Sequence, residues 1–407
     1  MPVLEFHYDF SCPYAYLAST QVERLAARTG VELDWRPFLL GGVFNAQGVN
    51  PMQTAAPART QLTGRDLHRW AEHLDVPLRF PAGHPNRTVT ALRAAIATGE
   101  LSRASRALFD AYWVDAIDVS SPEAVARVLD AAGLDGAAAV RAAESEEARN
   151  DLRRRTTEAL ERGIFGAPTF FLGGERYWGQ DRMDFIARAL GLEGWPEGLP
   201  ALTGPRAEEF ELWFDFSSPF AYLASTQAEA LAARTGARLR WRPFVLGGLF
   251  KNIGTPLVPM QTLPAAKQVY LAEDMARFAR RYGAPFQFPS GFPLRTVLAL
   301  RLVLAAPEPS RARLIHAIYR ACWVDDRDPN DPSVLGAALA EAGLDPSLLG
   351  AAQSPEIKQA LHDATNEATQ RGLCGAPTFA VGELLFWGQD RIPFVERALA
   401  GWRPAVG

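Results

Sequence analysis

The 407-residue chain, 48% hydrophobic and 22% charged, has the composition of a soluble globular protein and a length that suits two domains better than one. Lys and Arg total 42 against 46 Asp and Glu, and a net charge of -4 offers no basic surface to nucleic acid or to an anionic membrane. No apolar run reaches the roughly eighteen residues of a membrane span, the N-terminus lacks a secretory leader pattern, and three cysteines (12, 322 and 374) are too scattered for a disulfide framework or a zinc site; the expectation is a cytoplasmic protein without a structural metal.

In chain order, the apolar stretch VLEFHY predicts a first strand, followed by DFSCPYAYLAST (Asp9–Thr20) and helical spacing from Tyr14 to Ala27. A second strand is predicted in VELDWRPF. About a hundred residues of helical periodicity come next, punctuated by glycines and prolines, as in VTALRAAIA and EAVARVLDAAG. APTFFLGGERYWG then predicts two short strands around a Gly-Gly turn, and DRMDFIARAL a last amphipathic helix.

The whole order then repeats. DFSSPFAYLAST (Asp215–Thr226), WRPFVLGGLF (Trp241–Phe250), PMQT (from Pro259), WVD (from Trp323), GAPTF (from Gly375) and WGQDR (Trp387–Arg391) each echo a phrase of the first half. The Pro/Gly-rich segment between the copies predicts a linker over 196–207, with a first domain at 1–195 and a second at 208–407. Each copy reads as an α/β domain carrying an all-helical insertion.

Chemistry gathers at two of the repeated phrases. Cys12 and Ser218 occupy one position, where a strand ends and a helix opens with Pro; unpaired N–H groups and the helix dipole there favour a thiolate, and a hydroxyl could donate to an anion. A plain helix cap is the alternative reading. The Pro of GAPTF at a strand start is compatible with a cis peptide that turns backbone N–H and C=O outward, or with an ordinary strand entry. Ala15 and Ala221 stand where a dithiol motif needs its second cysteine, which excludes dithiol exchange within the motif. Cys322 and Cys374 read as packing residues. Asp115, Asp118, Asp325 and Asp328 read as helix-capping turns rather than a metal loop, and Trp113 and Trp323 as core.

As an ordered set, DFxSPxxYL, WRPFxLGGxF, GAPTF and GQDR resemble the glutathione-dependent 2-hydroxychromene-2-carboxylate isomerases, which are similar to kappa-class glutathione transferases and to DsbA-type oxidoreductases. The resemblance covers nearly the whole chain, twice, and implies two tandem thioredoxin-like (DsbA-like) domains, each with a helical insertion. It further implies glutathione as cofactor, with Ser218, or Cys12 in the first copy, beside its sulfur. Ala376-Pro377 and Ala167-Pro168 would pair with its cysteinyl unit, and Gln389-Asp390 and Gln180-Asp181 would lie near its γ-glutamyl end. Lys251 follows LGGLF where the family has a lysine, whereas the first copy has Asn45; the family's following Asn is Thr255. Lys267 and Tyr270 align with Arg59 and Leu62, while Asp66/Asp274 and Arg69/Arg277 persist. Read from the residues alone, Arg87 in HPNRTVTALR and Arg295 in FPLRTVLALR are candidates for a substrate or glutathione carboxylate or, equally, surface residues.

The resulting expectation is a working glutathione site in the second copy, using Ser218 and Lys251 on a small aromatic or electrophilic substrate. The first copy is then a degenerate partner or a site of altered chemistry at Cys12. Kappa-like transfer, monothiol exchange at Cys12, and a non-catalytic glutathione-binding protein are the alternatives. Because family members look dimeric, the fused copies are also expected to form an intrachain pseudo-dimer.

Overall fold

The computed structural model describes residues 2–49, 56–196, 201–202 and 204–405; the first PMQT phrase and part of the linker lie outside them. Two compact units form, one of Met1–Gln53 with Leu67–Pro200, the other of Thr54–Asp66 with Ala201–Gly407.

In the first unit β1 (Val3–Tyr8) leads into α1 (Pro13–Thr29) and β2 (Glu32–Pro37). The insertion follows as α2 (Leu40–Ala46), α3 (Pro57–His73), α4 (Val89–Ala97), α5 (Leu101–Trp113), α6 (Pro122–Ala131), α7 (Gly136–Ala143) and α8 (Glu146–Glu161). The hairpin β3 (Thr169–Leu172) and β4 (Glu175–Trp178), with α9 (Met183–Ala189), closes the repeat. The first ten residues of α3 belong to the second unit.

The second unit repeats the plan: β5 (Glu209–Phe214), α10 (Pro219–Thr235), β6 (Arg238–Pro243), α11 (Leu246–Ile253), α12 (Ala265–Tyr282), α13 (Val297–Ala305), α14 (Glu308–Trp323), α15 (Pro332–Ala342), α16 (Leu348–Ala351), α17 (Pro355–Gln370), β7 (Thr378–Val381), β8 (Leu384–Trp387) and α18 (Ile392–Leu399). The sheets run β2-β1-β3-β4 and β6-β5-β7-β8. The central strand of each is parallel to its βαβ partner and antiparallel to the hairpin.

Burial explains the order. Leu4, Phe6 and Tyr8, like Phe210, Leu212 and Phe214, are almost fully buried because the central strands carry helices on the sheet faces. α1 and α10 begin with Pro, whose missing N–H suits a first turn, and end at Gly30 and Gly236 in the left-handed conformation that a C-terminal cap requires. Trp113 and Trp323 are fully buried as core, and each indole donates to the backbone carbonyl of Phe10 or Phe216 at 2.8 Å, fastening the insertion to the turn before α1 or α10. Asp118 and Asp328 accept from Ser120 and Asn330 backbone N–H groups as capping turns, and no metal-binding cluster occurs among the described residues. No described helix is long and apolar enough to cross a membrane.

Candidate functional site

The turn after β5 is closed by the Ser218 N–H donating to the Asp215 carbonyl at 3.1 Å, which delivers Ser218 to the N-cap of the 17-residue α10 with extended φ and ψ. Its hydroxyl is used in both senses. It accepts from Ala221 N–H at 3.2 Å and donates to the Ala376 carbonyl at 2.7 Å, across 158 residues of chain. Ala376-Pro377 is a cis peptide, as is Ala167-Pro168. The candidate hydroxyl, the helix N-terminus and the cis-proline loop thus meet at one point, beside the positive end of the helix dipole.

GAPTF and WGQDR form one assembly. The Gly388 N–H donates to the Pro377 carbonyl at 3.0 Å, and the Trp387 indole nitrogen stands 2.6 Å from where a side chain on Gly375 would begin, so only glycine fits there. Gly388 has φ +115, and a Cβ on it would meet Asp390 Oδ1 at 2.4 Å. Gln389 is buried, and its carbonyl accepts from the Tyr282 hydroxyl at 3.0 Å. Asp390, expected beside a cationic ligand end, already pairs with Arg391 at 3.1 Å, as Asp181 does with Arg182 at 3.0 Å. In the first unit the buried Gln180 amide nitrogen has no hydrogen-bond partner among the described residues.

Cys12 takes the backbone conformation of Ser218 but not its bonding. Its sulfur caps nothing, and its S–H donates to the Ala167 carbonyl at 3.0 Å. The expected thiolate is corrected here: burial pushes the Cys12 thiol up to about 12, the N–H groups of Ala15 and Tyr14 oppose this only in part, and Asp9 adds to it. Desolvation overrides the helix end because a residue only 7% exposed leaves its sulfur little water to stabilise a charge. Cys322 and Cys374 are likewise buried, as packing residues should be.

Lys251 is exposed in the last turn of α11, five residues (about 7.5 Å of helix) beyond Leu246, and no hydrogen bond ties it to Ser218. Arg87 and Arg295 are exposed. Two cationic residues that the repeat alignment sets opposite each other lie together in the second unit. Arg59 stacks over the Trp387 ring at 5.4 Å, and half-buried Lys267 is pushed down to about 8 by burial and by Arg59. These two residues occupy aligned positions of the repeats, yet both belong to the second unit. There Arg391 also makes a two-oxygen pair with Asp66, at 2.9 Å from Nε to Oδ1 and 2.9 Å from Nη2 to Oδ2. Tyr270 and Arg277 both bond buried Asp274 at 3.3 Å.

The β-α-β order, the returning hairpin and the cis-proline loop facing a helix N-terminus define a thioredoxin-type protein. The DSBA-like thioredoxin domain matches residues 3–191 and again 209–400, so the chain belongs to that family, with two copies of the domain. Among relatives, 2-hydroxychromene-2-carboxylate isomerase of Pseudomonas sp. (strain C18) is 32% identical over 191 residues, 46% of this chain and 90% of that protein. Glutathione S-transferase kappa 1 of Homo sapiens is 26% identical over 220 residues, 50% of this chain and 96% of that protein. A solved 2-hydroxychromene-2-carboxylate isomerase aligns with 47% of this chain and 94% of its own at 26% identity and a TM-score of 0.43.

Proposed function

We propose that the second unit is a glutathione-dependent isomerase site of the 2-hydroxychromene-2-carboxylate type. The observation that carries this reading is the Ser218 hydroxyl, fixed between the first turn of α10 and the carbonyl of Ala376. Its donor and acceptor positions fit a peptide thiol: the Ala376 carbonyl has a second lone pair for a cysteinyl N–H, and the hydroxyl can turn from that carbonyl to donate to sulfur. Bound glutathione would supply a thiolate that adds to and then leaves a conjugated double bond, allowing rotation about it with no net redox change.

Ser218 and the N-terminus of α10 hold the negative charge of that sulfur. Gln389 and Asp390, held against the cis-proline loop through Gly388, would serve the γ-glutamyl end, as the family resemblance implies. Lys251, Lys267 and Arg59 supply positive charge in the same unit for anionic groups of cofactor or substrate.

Calorimetry with glutathione on the unmodified protein, Ser218→Ala and Cys12→Ala tests the assignment. One site per chain, weakened only by Ser218→Ala, is the expected result, together with slower turnover of 2-hydroxychromene-2-carboxylate by Ser218→Ala. Unchanged turnover would count against the reading. A kappa-like transferase is the second reading, favoured by the kappa relatives, and a product that retains glutathione would identify it. Burial of Cys12 argues against monothiol exchange at the first unit.

A further inference from the structure

Ser217, Leu246 and Thr296, which recur in the first repeat as Ser11, Leu40 and Thr88, each send a donor to a single buried carboxylate. Asp215 Oδ1 accepts from Ser217 N–H at 2.9 Å and from the Thr296 hydroxyl at 2.6 Å, and Oδ2 accepts from Leu246 N–H at 2.8 Å. Its own carbonyl accepts from Ser218 N–H at 3.1 Å and the Tyr319 hydroxyl at 3.4 Å. The residue is 1% exposed.

Two helix ends show that this arrangement is built at the expense of local bonding. Val245, the N-cap of α11, has no side chain to cap with, and Asp215 serves the first N–H of that helix from 31 residues away. Thr296 sits at the N-cap of α13, where threonine ordinarily caps its own helix, but makes no cap because its hydroxyl is engaged by Asp215. The first unit has the same clasp: Asp9 accepts from Ser11 N–H at 3.0 Å, Leu40 N–H at 2.8 Å and the Thr88 hydroxyl at 2.7 Å. The clasp therefore persists where serine has given way to cysteine, and the frame is separable from the group it presents.

We propose that Asp215 is a positioning residue which, by locking the Ser217-Ser218 turn to the starts of α11 and α13, aims the Ser218 hydroxyl at the sulfur of a bound glutathione. This rests on the glutathione reading above. The carboxylate touches no reacting atom; it acts through Ser218.

The test is Thr296→Val, which keeps the shape and removes one donor, read by ultraviolet titration of the thiolate of bound glutathione and by affinity for S-methylglutathione, which has no thiol. The expected result is about tenfold less thiolate at a pH below both thiol pKa values, unaltered S-methylglutathione affinity, and recovery in Thr296→Ser. If Thr296→Val does not fold, Leu246→Pro removes a second of the three donors at a first helical position that tolerates proline, with the same expectation. Unchanged or increased thiolate in a folded variant overturns the proposal. So does an equal loss of S-methylglutathione affinity, which would make the clasp a general support of the groove. Failure of the unmodified protein to bind glutathione brings down the functional reading and this proposal together, whereas normal binding with an unaltered variant brings down the proposal alone.

Discussion

Ser218 and Cys12 are held alike and behave differently. Both follow a strand, both precede a proline at the start of a 17-residue helix, and both donate to the carbonyl before a cis-proline. The hydroxyl needs no ionisation to donate and also caps its helix. The thiol must lose its proton to be useful at that place, and burial opposes this. The frame in which a serine both donates and caps therefore holds a cysteine as the thiol.

The comparison breaks most readily on reactivity. Alkylation of Cys12 by iodoacetamide at pH 8, followed by peptide mass spectrometry, should be at least about a hundredfold slower in the folded protein than in urea, since a thiol pushed to about 12 carries little thiolate. Equal rates would show an activated thiol and reopen the first unit as a reactive site.

Packing should treat the units alike. Trp113→Phe and Trp323→Phe each remove an indole donor to a buried carbonyl and should each cost about 1–3 kcal/mol in urea unfolding. A large loss in one unit and none in the other would show that the insertions are fastened differently.

Exchanging the variable residue should move stability in opposite directions. Cys12→Ser gives the first unit the cap it lacks and is expected to add about 1 kcal/mol, and Ser218→Cys to remove about as much. Same-sign changes, measured by thermal unfolding, would mean that capping is not the difference.

The smallest expected effect is acid sensitivity at the sheet. Glu5 is held down to about 2, first by its hydrogen bond from His7 and then, against burial, by Arg162, whereas Glu211 in the second unit keeps the arginine partner, Arg371, but accepts from the Trp213 indole at 2.9 Å in place of a histidine. A folded-state pKa below the ordinary 4.5 contributes stability that is present above 4.5 and lost as pH falls toward 2. Glu5→Gln should flatten that loss in an acid titration of the unfolding midpoint; an unchanged profile would assign the acid response elsewhere.

The repeat and the α/β plan were legible because each rests on contiguous phrases, whereas Ser218 and the cis-proline loop, 158 residues apart, were brought together only by the family resemblance. Two things were not. Burial of Cys12 depends on elements far along the chain, so the helix end, the only local term, pointed the wrong way. The Asp215 clasp joins residues 31 and 81 positions apart, and neither Leu246 nor Thr296 carries a local sign of that carboxylate. That Asp, Leu-Gly-Gly and Arg-Thr-Val recur together was the available signal.

The start of α3 carries a last consequence. Pro57–Asp66 is encoded in the first repeat yet sits in the second unit, where Arg59 covers Trp387 and Asp66 pairs with Arg391. The order of the gene is not the order of the bodies. A second repeat produced alone would lose the Arg59 cover of Trp387 and one of the carboxylates that pair with Arg391, so cutting at the linker yields an incomplete half. Fusion guarantees that every molecule carries the missing helical turns at one-to-one stoichiometry and at high effective concentration.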